Sequence, residues 1–331
     1  MEGSGMIRIG ILGAAKIAPK ALIPQVKRRA DCTILAVAAR DAIKARAYAD
    51  AHGIPEVVES YEALIARPDI DLIYNALPPN RHADLSIAAL KAGKHVLCEK
   101  PFAMNAGEAR AMADAAQRSG RHLIEAFHYR FHPMFEDILE KVRSGAIGKL
   151  CAMKAEFSVR IPYSPEELRH RPDLGGGALM DLGCYPLHWL RTIAGSEPRL
   201  VSARMEEGTP GVDLVTEAVL EFPGGIPARL RTSMKPGQPY KALIALKGSD
   251  AILRAVNPIH PTFGNSISFQ RGRKVTRYTV DGETTYDYQL AHVIDVITGR
   301  AAPLTGGTDA VANMTMIDAI YEAGGLKPRG T

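Results

Sequence analysis

Three stretches of this 331-residue chain place ionisable side chains where an ordinary fold has little use for them. The first is HVLCEKPFA, residues 95–103, which opens as a buried strand and finishes on Glu99, Lys100 and Pro101. Ions are expensive to bury and proline breaks a sheet ladder. The C-terminal ends of strands in an open α/β sheet, however, are where ligands bind. Lys100 at such an end serves a ligand cleft; the alternative is a surface Lys–Glu pair. A cis bond before Pro101, open to X-Pro peptides alone at small cost, would turn Lys100 sideways into that cleft. The second stretch is GGGALMDLGCYPLHWL, residues 175–190, in which three glycines lead into a helix. At about 100° per residue, Asp181, Tyr185 and His188 share one stripe of an otherwise apolar helix. A carboxylate, a phenol and an imidazole in line can bind or exchange protons. The alternative is a buried Tyr–Asp hydrogen bond with His188 as a core histidine, and Pro186 warns of an irregular helix. The third stretch, EAFHYRFHP (125–133), brings His128 or Arg130 beside the cleft. His128 and His132 have the i,i+4 spacing that suits zinc, but no third ligand is evident and no metal is expected.

The elements that must position these groups follow from the hydrophobic pattern. Over the first 126 residues strands alternate with helices: IRIGIL, TILAVAAR, DLIYNAL, HVLCEK and HLIEAF are strands. The helices between them include AAKIAPKALIPQVKRR, where Pro24 marks a kink or an end, and DAIKARAYADAHG, closed by Gly53. Such alternation builds a doubly wound parallel sheet with helices on both faces, an α/β fold. Beyond residue 127 the strand-like runs follow one another: KLCAMKAEFSV, LVSARMEE, LVTEAVLEF, ARLRTSM, KALIALKG, ISFQ and KVTRYTV. Several alternate apolar with polar residues, as a mainly antiparallel open sheet with one wet face does. Two helical stretches end the chain. The expectation is an α/β domain over 6–126 and an α+β domain over 127–331. The opening MEGSG, residues 1–5, reads as a vector-derived remnant.

The first strand runs into GAAKIA, whose Gly13, Ala15 and Ala18 fall on the G-x-G-x-x-G/A fingerprint of dinucleotide-binding folds. Gly13 permits the tight turn, and the helix N-terminus offers N–H groups to a pyrophosphate. Ala15 stands where glycine usually lets the backbone approach, and a plain strand–helix turn is the competing reading. The second strand ends Ala38-Ala39-Arg40-Asp41, without the acid at its tip that NAD-selective sites use for the ribose hydroxyls. Arg40 and Lys44, four residues apart and on one helical face if the helix begins at once, suit a 2′-phosphate. NADP(H) is therefore expected, with NAD as the alternative; two solvated cations paired with Asp41 are the plainer reading.

Composition narrows the class. The chain is 46% hydrophobic and 23% charged, which suits a globular protein with two cores. No apolar run reaches the roughly 18 residues of a membrane span, and no signal peptide is evident. Cys32, Cys98, Cys151 and Cys184 are far apart with no C-x-x-C, so reduced thiols and a cytoplasmic location are expected. The net charge of +5 comes without a Lys/Arg run, and no nucleic-acid partner is expected. The second-domain sheet is long for a monomer, so a homodimer or homotetramer through its exposed face is expected.

Taken together, G-x-x-G-A-A-x-I-A, HVLCEKP, EAFxYRFHP and GGGALMDLGCY resemble the glucose–fructose oxidoreductase / inositol dehydrogenase (Gfo/Idh/MocA) family over nearly the whole chain. In style they are nearest to its NADP-dependent sugar and dihydrodiol dehydrogenases, with Tyr185 where inositol-type members carry histidine. The resemblance implies a Rossmann domain followed by an open-sheet domain. It implies hydride transfer between a nicotinamide cofactor and a small sugar, polyol or cyclic diol. On it, Lys100 holds the substrate hydroxyl and the nicotinamide ribose, Tyr185 is the acid/base, and Asp181 orients the site. Glu99 lies near the cofactor with Gly13, Ala14, Ala15, Lys16 and Ile17. Arg40 and Lys44 contact the 2′-phosphate. Leu77, Pro78, Asn80 and His82 wall the nucleotide, although Pro79 holds the place where many members have asparagine. Arg169 approaches cofactor or substrate, preceded by an atypical Leu168. His128, Arg130 and His188 join Lys100 and Tyr185 as substrate contacts. The physics agrees with these roles. A free tyrosine has a pKa of about 10. A lysine cation about 4 Å away, at an effective dielectric of about 20, interacts by roughly 4 kcal/mol, worth about three pKa units. The family also contains glycosidase-like enzymes, which oxidise a hydroxyl transiently to eliminate a leaving group, and a non-enzymatic nucleotide-binding regulator is the third possibility. Arg160, Tyr163, His170, His260 and Asn265, in two loops of the second domain, are either hydroxyl readers or loop stabilisers.

Overall fold

Pro24 shows how local sequence shapes this chain. The structure, a computed structural model, describes residues 5–331; residues 1–4, most of the expected N-terminal remnant, lie outside the described residues. Where one helix is expected over 14–29, coil persists to Ile17 and two short helices follow, α1 (Ala18–Ala21) and α2 (Ile23–Lys27). Pro24 has no N–H, and its ring excludes the carbonyl four residues back, so the helix breaks at Leu22. The carbonyl left over on Lys20 accepts a hydrogen bond from Gln25 Nε2 at 3.1 Å.

The chain forms two compact units. One runs to Phe127 and takes in Tyr286–Val311; the other comprises His128–Thr285 and Ala312–Thr331. Residues 286–311, which the sequence pattern assigns to the second domain, therefore belong with the first. That unit holds a parallel sheet of β1 (Ile7–Leu12), β2 (Cys32–Ala38), β3 (Glu56–Val58), β4 (Leu72–Asn75), β5 (His95–Cys98) and β6 (Leu123–Glu125). Its order is β3-β2-β1-β4-β5-β6. The order reverses between β1 and β4, so the loops after these strands diverge and leave a crevice at the C-terminal edge. The connecting helices are α3 (Ala42–His52), α4 (Tyr61–Ala66), α5 (His82–Lys91) and α6 (Ala106–Ser119). Asp41 caps α3 and Gly53 ends it at φ +68°. The sequence pattern leaves out β3 and α4. Ile9, Ile11, Val37, Tyr74 and Leu97 form one core with Leu290, Val293 and Ile294 of the returning segment. Both faces of a parallel sheet must be covered, and this segment completes the cover.

The second unit opens with α7 (Pro133–Arg143), an element the pattern does not reveal. After β7 (Leu150–Ser158) comes α8 (Cys184–Ala194). Then follow β8 (Arg199–Glu207), β9 (Asp213–Phe222), β10 (Ile226–Ser233), β11 (Lys241–Gly248), β12 (Ile252–Val256), β13 (Ser266–Arg271) and β14 (Lys274–Tyr278). The eight strands form an open sheet in the order β14-β13-β12-β11-β7-β10-β9-β8, antiparallel except for the β7–β10 pair. β12 is the strand the sequence pattern misses. On β9 the inward Thr216, Ala218, Leu220 and Phe222 are buried while Glu217 is exposed, the period-two signature of a sheet with one covered face. α8 packs on β7 and β10 and buries Leu187, Trp189 and Leu190 there. Each such side chain contributes roughly 1.5–3 kcal/mol on burial. The two expected terminal helices are α9 (Thr285–Ile297) and α10 (Gly307–Ala323). Among the described residues no helix is long and apolar enough to cross a membrane.

Candidate active site

In the first unit every candidate lies at or just beyond the C-terminal end of a parallel strand. Gly13 follows β1 with φ +97° and donates its N–H to the Ala38 carbonyl at 2.8 Å. A Cβ there would lie 2.9 Å from Leu77 Cδ2, a movable side-chain end, so it is the positive φ that favours glycine where the loops after β1 and β4 meet. Ala14, Ala15, Lys16 and Ile17 complete the loop. Lys16 is exposed, Ala15 and Ile17 rest on the core, and the Ala15 carbonyl accepts from the Tyr48 hydroxyl at 3.0 Å. After β2, Asp41 Oδ1 accepts from Lys44 N at 3.0 Å, which starts α3 at Ala42. Arg40 therefore precedes the helix, and the shared helical face expected for Arg40 and Lys44 does not form. Lys44 Nζ is 3.8 Å from Asp41 Oδ2 with its side chain 79% exposed, a pair worth little. Arg40 is exposed and has no hydrogen-bonding or ionic partner among the described residues.

Beyond β4, Leu77 and Pro78 are half-buried and Asn80 is exposed. Asn75, fully buried, braces this loop by donating to the Arg81 carbonyl at 3.2 Å and to Ser86 Oγ at 3.1 Å. His82 is also buried, with Nε2 2.8 Å from the Leu77 carbonyl oxygen and Nδ1 2.9 Å from that of Pro101. Burial lowers its pKa, and the two carbonyls act against that effect. Both ring nitrogens face backbone carbonyl oxygens, and the N–H of the neutral ring donates to one of them. The ring thereby bridges the Leu77 loop and the Lys100–Pro101 turn. Glu99 and Lys100 are half-buried at the end of β5, and the Lys100–Pro101 peptide is cis. The Glu99 carboxylate accepts from the Tyr74 hydroxyl at 2.5 Å, and Glu99 N donates to the Asn75 carbonyl at 3.0 Å. Burial, and then the Glu99 charge, push the Tyr74 phenol well up.

In the second unit the GGGALMDLGCY segment is not a uniform α-helix. Leu179–Gly183 form one π-helical turn before α8 begins. Pro186 accounts for it: it lacks the N–H that would bond Leu182, and its ring excludes that carbonyl, so the preceding turn widens. The π-helical turn breaks the 100° spacing between Asp181 and Tyr185, whereas Tyr185 and His188 stay three residues apart in α8 and both contact the Tyr129 ring, each at 5.9 Å. Asp181 Oδ2 accepts from Arg169 Nε at 2.7 Å, while Arg169 Nη1 donates to Glu167 at 2.8 Å. The Asp181 charge is the main cause of the raised Arg169 pKa. Tyr185 is buried, with its hydroxyl 3.3 Å from His128 Nε2; His128 Nδ1 lies 2.7 Å from Thr285 Oγ1. The rings of His128 and Tyr185 sit 5.9 Å apart, and Phe157 closes on Tyr185 at 5.6 Å. His188 Nδ1 is hydrogen-bonded with the Tyr129 hydroxyl.

The structure thus brings His128 and Tyr185 together, as it does Arg169 and Asp181. Arg130 turns elsewhere: its guanidinium is ion-paired with Glu136 and lies over the Phe135 ring at 5.7 Å. His132 does not share a helix with His128. It caps α7, its Nδ1 accepting from Met134 N at 3.0 Å, which removes the zinc spacing. Among the loop candidates, His260 stacks on His128 at 5.4 Å. Asn265 braces its loop by donating to the Pro261 and Val280 carbonyls, and His170 Nε2 faces the Ile161 carbonyl. The sequence reading passes over Tyr74, Asn75, Tyr129 and Thr285. Tyr129 lies inside the EAFHYRFHP motif and was open to notice; Thr285 meets His128 across 157 residues, with no local signal.

Comparison with known proteins adds a separate line of support. Residues 7–127 match the oxidoreductase family with an NAD-binding Rossmann fold, and residues 135–254 match the GFO/IDH/MocA C-terminal domain. The chain is 35% identical to D-xylose 1-dehydrogenase (NADP(+)) 2 of Haloferax volcanii over 95% of its length and 96% of that protein's. It is 32% identical to trans-1,2-dihydrobenzene-1,2-diol dehydrogenase of Xenopus laevis, covering 89% and 91%. Among solved structures, aldose-aldose oxidoreductase from Caulobacter crescentus, complexed with glycerol, superposes with a TM-score of 0.88 at 26% identity, covering 96% of this chain and 97% of that one. A 3-ketoreductase from Actinomadura kijaniata, complexed with NADP and TDP-benzene, does so with the same TM-score and identity, covering 96% and 98%. With both domains matched in order and a parallel sheet followed by an open antiparallel one, the chain belongs to the Gfo/Idh/MocA family of oxidoreductases.

Proposed function

We propose that the protein is an NADP(H)-dependent oxidoreductase that interconverts a hydroxyl and a carbonyl on a sugar, polyol or cyclic diol. Tyr185 serves as acid/base with assistance from Lys100. The observation that carries this reading is the buried Tyr185 phenol held against His128, on a scaffold shared with sugar and diol dehydrogenases. Three features of the first unit fit the cofactor. The positive-φ turn at Gly13 clears the backbone for a pyrophosphate, Leu77 walls that turn, and Arg40 stands exposed after β2 where a 2′-phosphate needs a cation. When bound, the nicotinamide accepts or donates the hydride. Tyr185 takes the hydroxyl proton in oxidation and returns it in reduction. Lys100 favours the phenolate and grips the same substrate oxygen, His128 holds the phenol, and Arg169 holds Asp181. The first unit serves the dinucleotide and the second the substrate. Self-association belongs on the open outer face of the eight-stranded sheet, where Val219, Leu243 and Ile252 lie half-buried among charged neighbours. We place the protein in the cytoplasm, where its four cysteines stay reduced.

The direct test is purified protein with NADP and a panel of aldoses, polyols and trans-diols, followed by NADPH absorbance. The expected result is turnover with at least one of them; silence across the panel in both directions counts against the reading. A second expectation concerns selectivity. A charge-assisted hydrogen bond is worth about 1.5–3 kcal/mol, so Arg40→Ser should raise KM for NADP by roughly 10–100-fold. KM for NAD should barely move, because NAD has no 2′-phosphate to lose. An equal change for both cofactors would place Arg40 outside the phosphate contact.

A further inference from the structure

The second unit buries an acid and an arginine that the proposed reaction does not use. Asp213, the first residue of β9, is fully buried, and Arg329 nearly so. Each carboxylate oxygen of Asp213 has two donors. Oδ1 accepts from the Tyr321 hydroxyl at 2.8 Å and from Arg329 Nη2 at 3.3 Å; Oδ2 accepts from Thr216 Oγ1 at 2.6 Å and from Leu179 N at 2.7 Å. Arg329 also donates through Nε to the Gly176 carbonyl at 2.7 Å and lies over the Tyr321 ring at 4.3 Å. Burial pushes the Asp213 carboxyl up despite these donors. Desolvating such a pair costs so much that apolar side chains of the same volume often stabilise a fold as well or better. Its geometry suggests a different use. Leu179 and Gly176 flank the entrance to the π-helical turn that leads to Tyr185. Gly177, between them, has φ +133°, and a Cβ there would lie 2.3 Å from Asp213 Oδ1 and 2.7 Å from Arg329 Nη2. The backbone of the triple-glycine run therefore rests directly on the ion pair, and a side chain at Gly177 would collide with it. The N–H of Leu179 is one of the donors that a helix start leaves without a partner, and Asp213 takes it.

We infer that Asp213 and Arg329 are positioning residues for Tyr185: they clamp the 176–179 backbone and so set where the π-helical turn delivers the phenol. The inference rests on the reading of Tyr185 as acid/base. Its test compares Asp213→Asn, Tyr185→Phe and the double variant in the full-length protein, with Tyr321→Phe as a milder change that removes one donor. Steady-state kinetics, NADPH affinity and thermal unfolding are measured for each. A misplacement on the order of 1 Å can cost about 100-fold in rate, so Asp213→Asn should lower kcat by roughly 10–100-fold while NADPH affinity holds. In the Tyr185→Phe background the same substitution should cost nothing further, because the group it positions is gone; a purely structural role would lower both backgrounds alike. Should Asp213→Asn fail to fold, Tyr321→Phe carries the same cycle, with a smaller loss in kcat that again vanishes beside Tyr185→Phe. Folded variants with parental kcat, or an equal loss in both backgrounds, overturn the inference. Undiminished turnover by Tyr185→Phe alone would instead overturn the acid/base reading, and this inference with it.

Discussion

Tyr185→Phe is expected to lower kcat by about 10²–10⁴-fold, the usual worth of a positioned acid/base, while leaving the fold intact. At 1.36 kcal/mol per decade this is a loss of roughly 3–5 kcal/mol of transition-state stabilisation. The stability cost should be far smaller. The ring is buried against Phe157 at 5.6 Å and Tyr129 at 5.9 Å, and phenylalanine keeps both contacts. The substitution removes the hydroxyl contact with His128, which at 3.3 Å is long for a hydrogen bond; a typical one contributes about 1 kcal/mol net. Rate and stability thus respond on different scales, and measuring kcat beside thermal unfolding separates them. KM for NADP should hold. A variant with parental kcat would remove Tyr185 from the chemistry and leave its contact with His128 as packing.

Several of the candidate residues stand out in the sequence because their signals are local. Gly13, the Glu99-Lys100-Pro101 strand end and the triple-glycine run each announce themselves within a few residues. The missing parts are non-local or too short. β3 is three residues long, below the length at which a period of two can be seen. β12 is five residues joined to β11 by a tight Ser-Asp turn, so AILRAV merges with the run before it. Nothing within residues 286–311 tells a reader that they pack with the first unit, because an apolar helical stripe records that it must be covered, not by what. The same holds for Thr285 on His128 and for Asp213 on Leu179. The helical face expected to hold both Arg40 and Lys44 did not form, for a different reason. Asp41 caps α3 as well as pairing with Lys44 Nζ, and the cap places Arg40 outside α3. The π-helical turn lay between these cases: Pro186 signalled an irregularity, but only the structure shows that it is absorbed one turn earlier.

Lys100→Met should be as damaging as the loss of the phenol, and its pH dependence should reveal why. Methionine approximates the length of the lysine stem and removes the charge. Under the proposed roles two things are lost together: a donor to the substrate oxygen and the cation that favours the phenolate. The first lowers kcat at every pH. The second acts on protonation alone. A cation near a phenol stabilises the ionised form, so the pKa lies lower with Lys100 present and rises without it. The active form in oxidation is the phenolate, so the rate falls as pH drops through that pKa. Removing the charge should therefore move the acidic limb of the kcat profile toward higher pH. An interaction of roughly 4 kcal/mol would displace it by about three pH units. Lys100→Arg retains the charge but replaces a compact ammonium with a broad fork, so it should lose rate while keeping the limb near its original pH. The two substitutions thus divide Lys100's contribution into charge and shape. If Lys100→Met loses rate with its acidic limb unmoved, the lysine grips substrate without tuning Tyr185, and the phenol must owe its ionisation to the His128 side of its own unit.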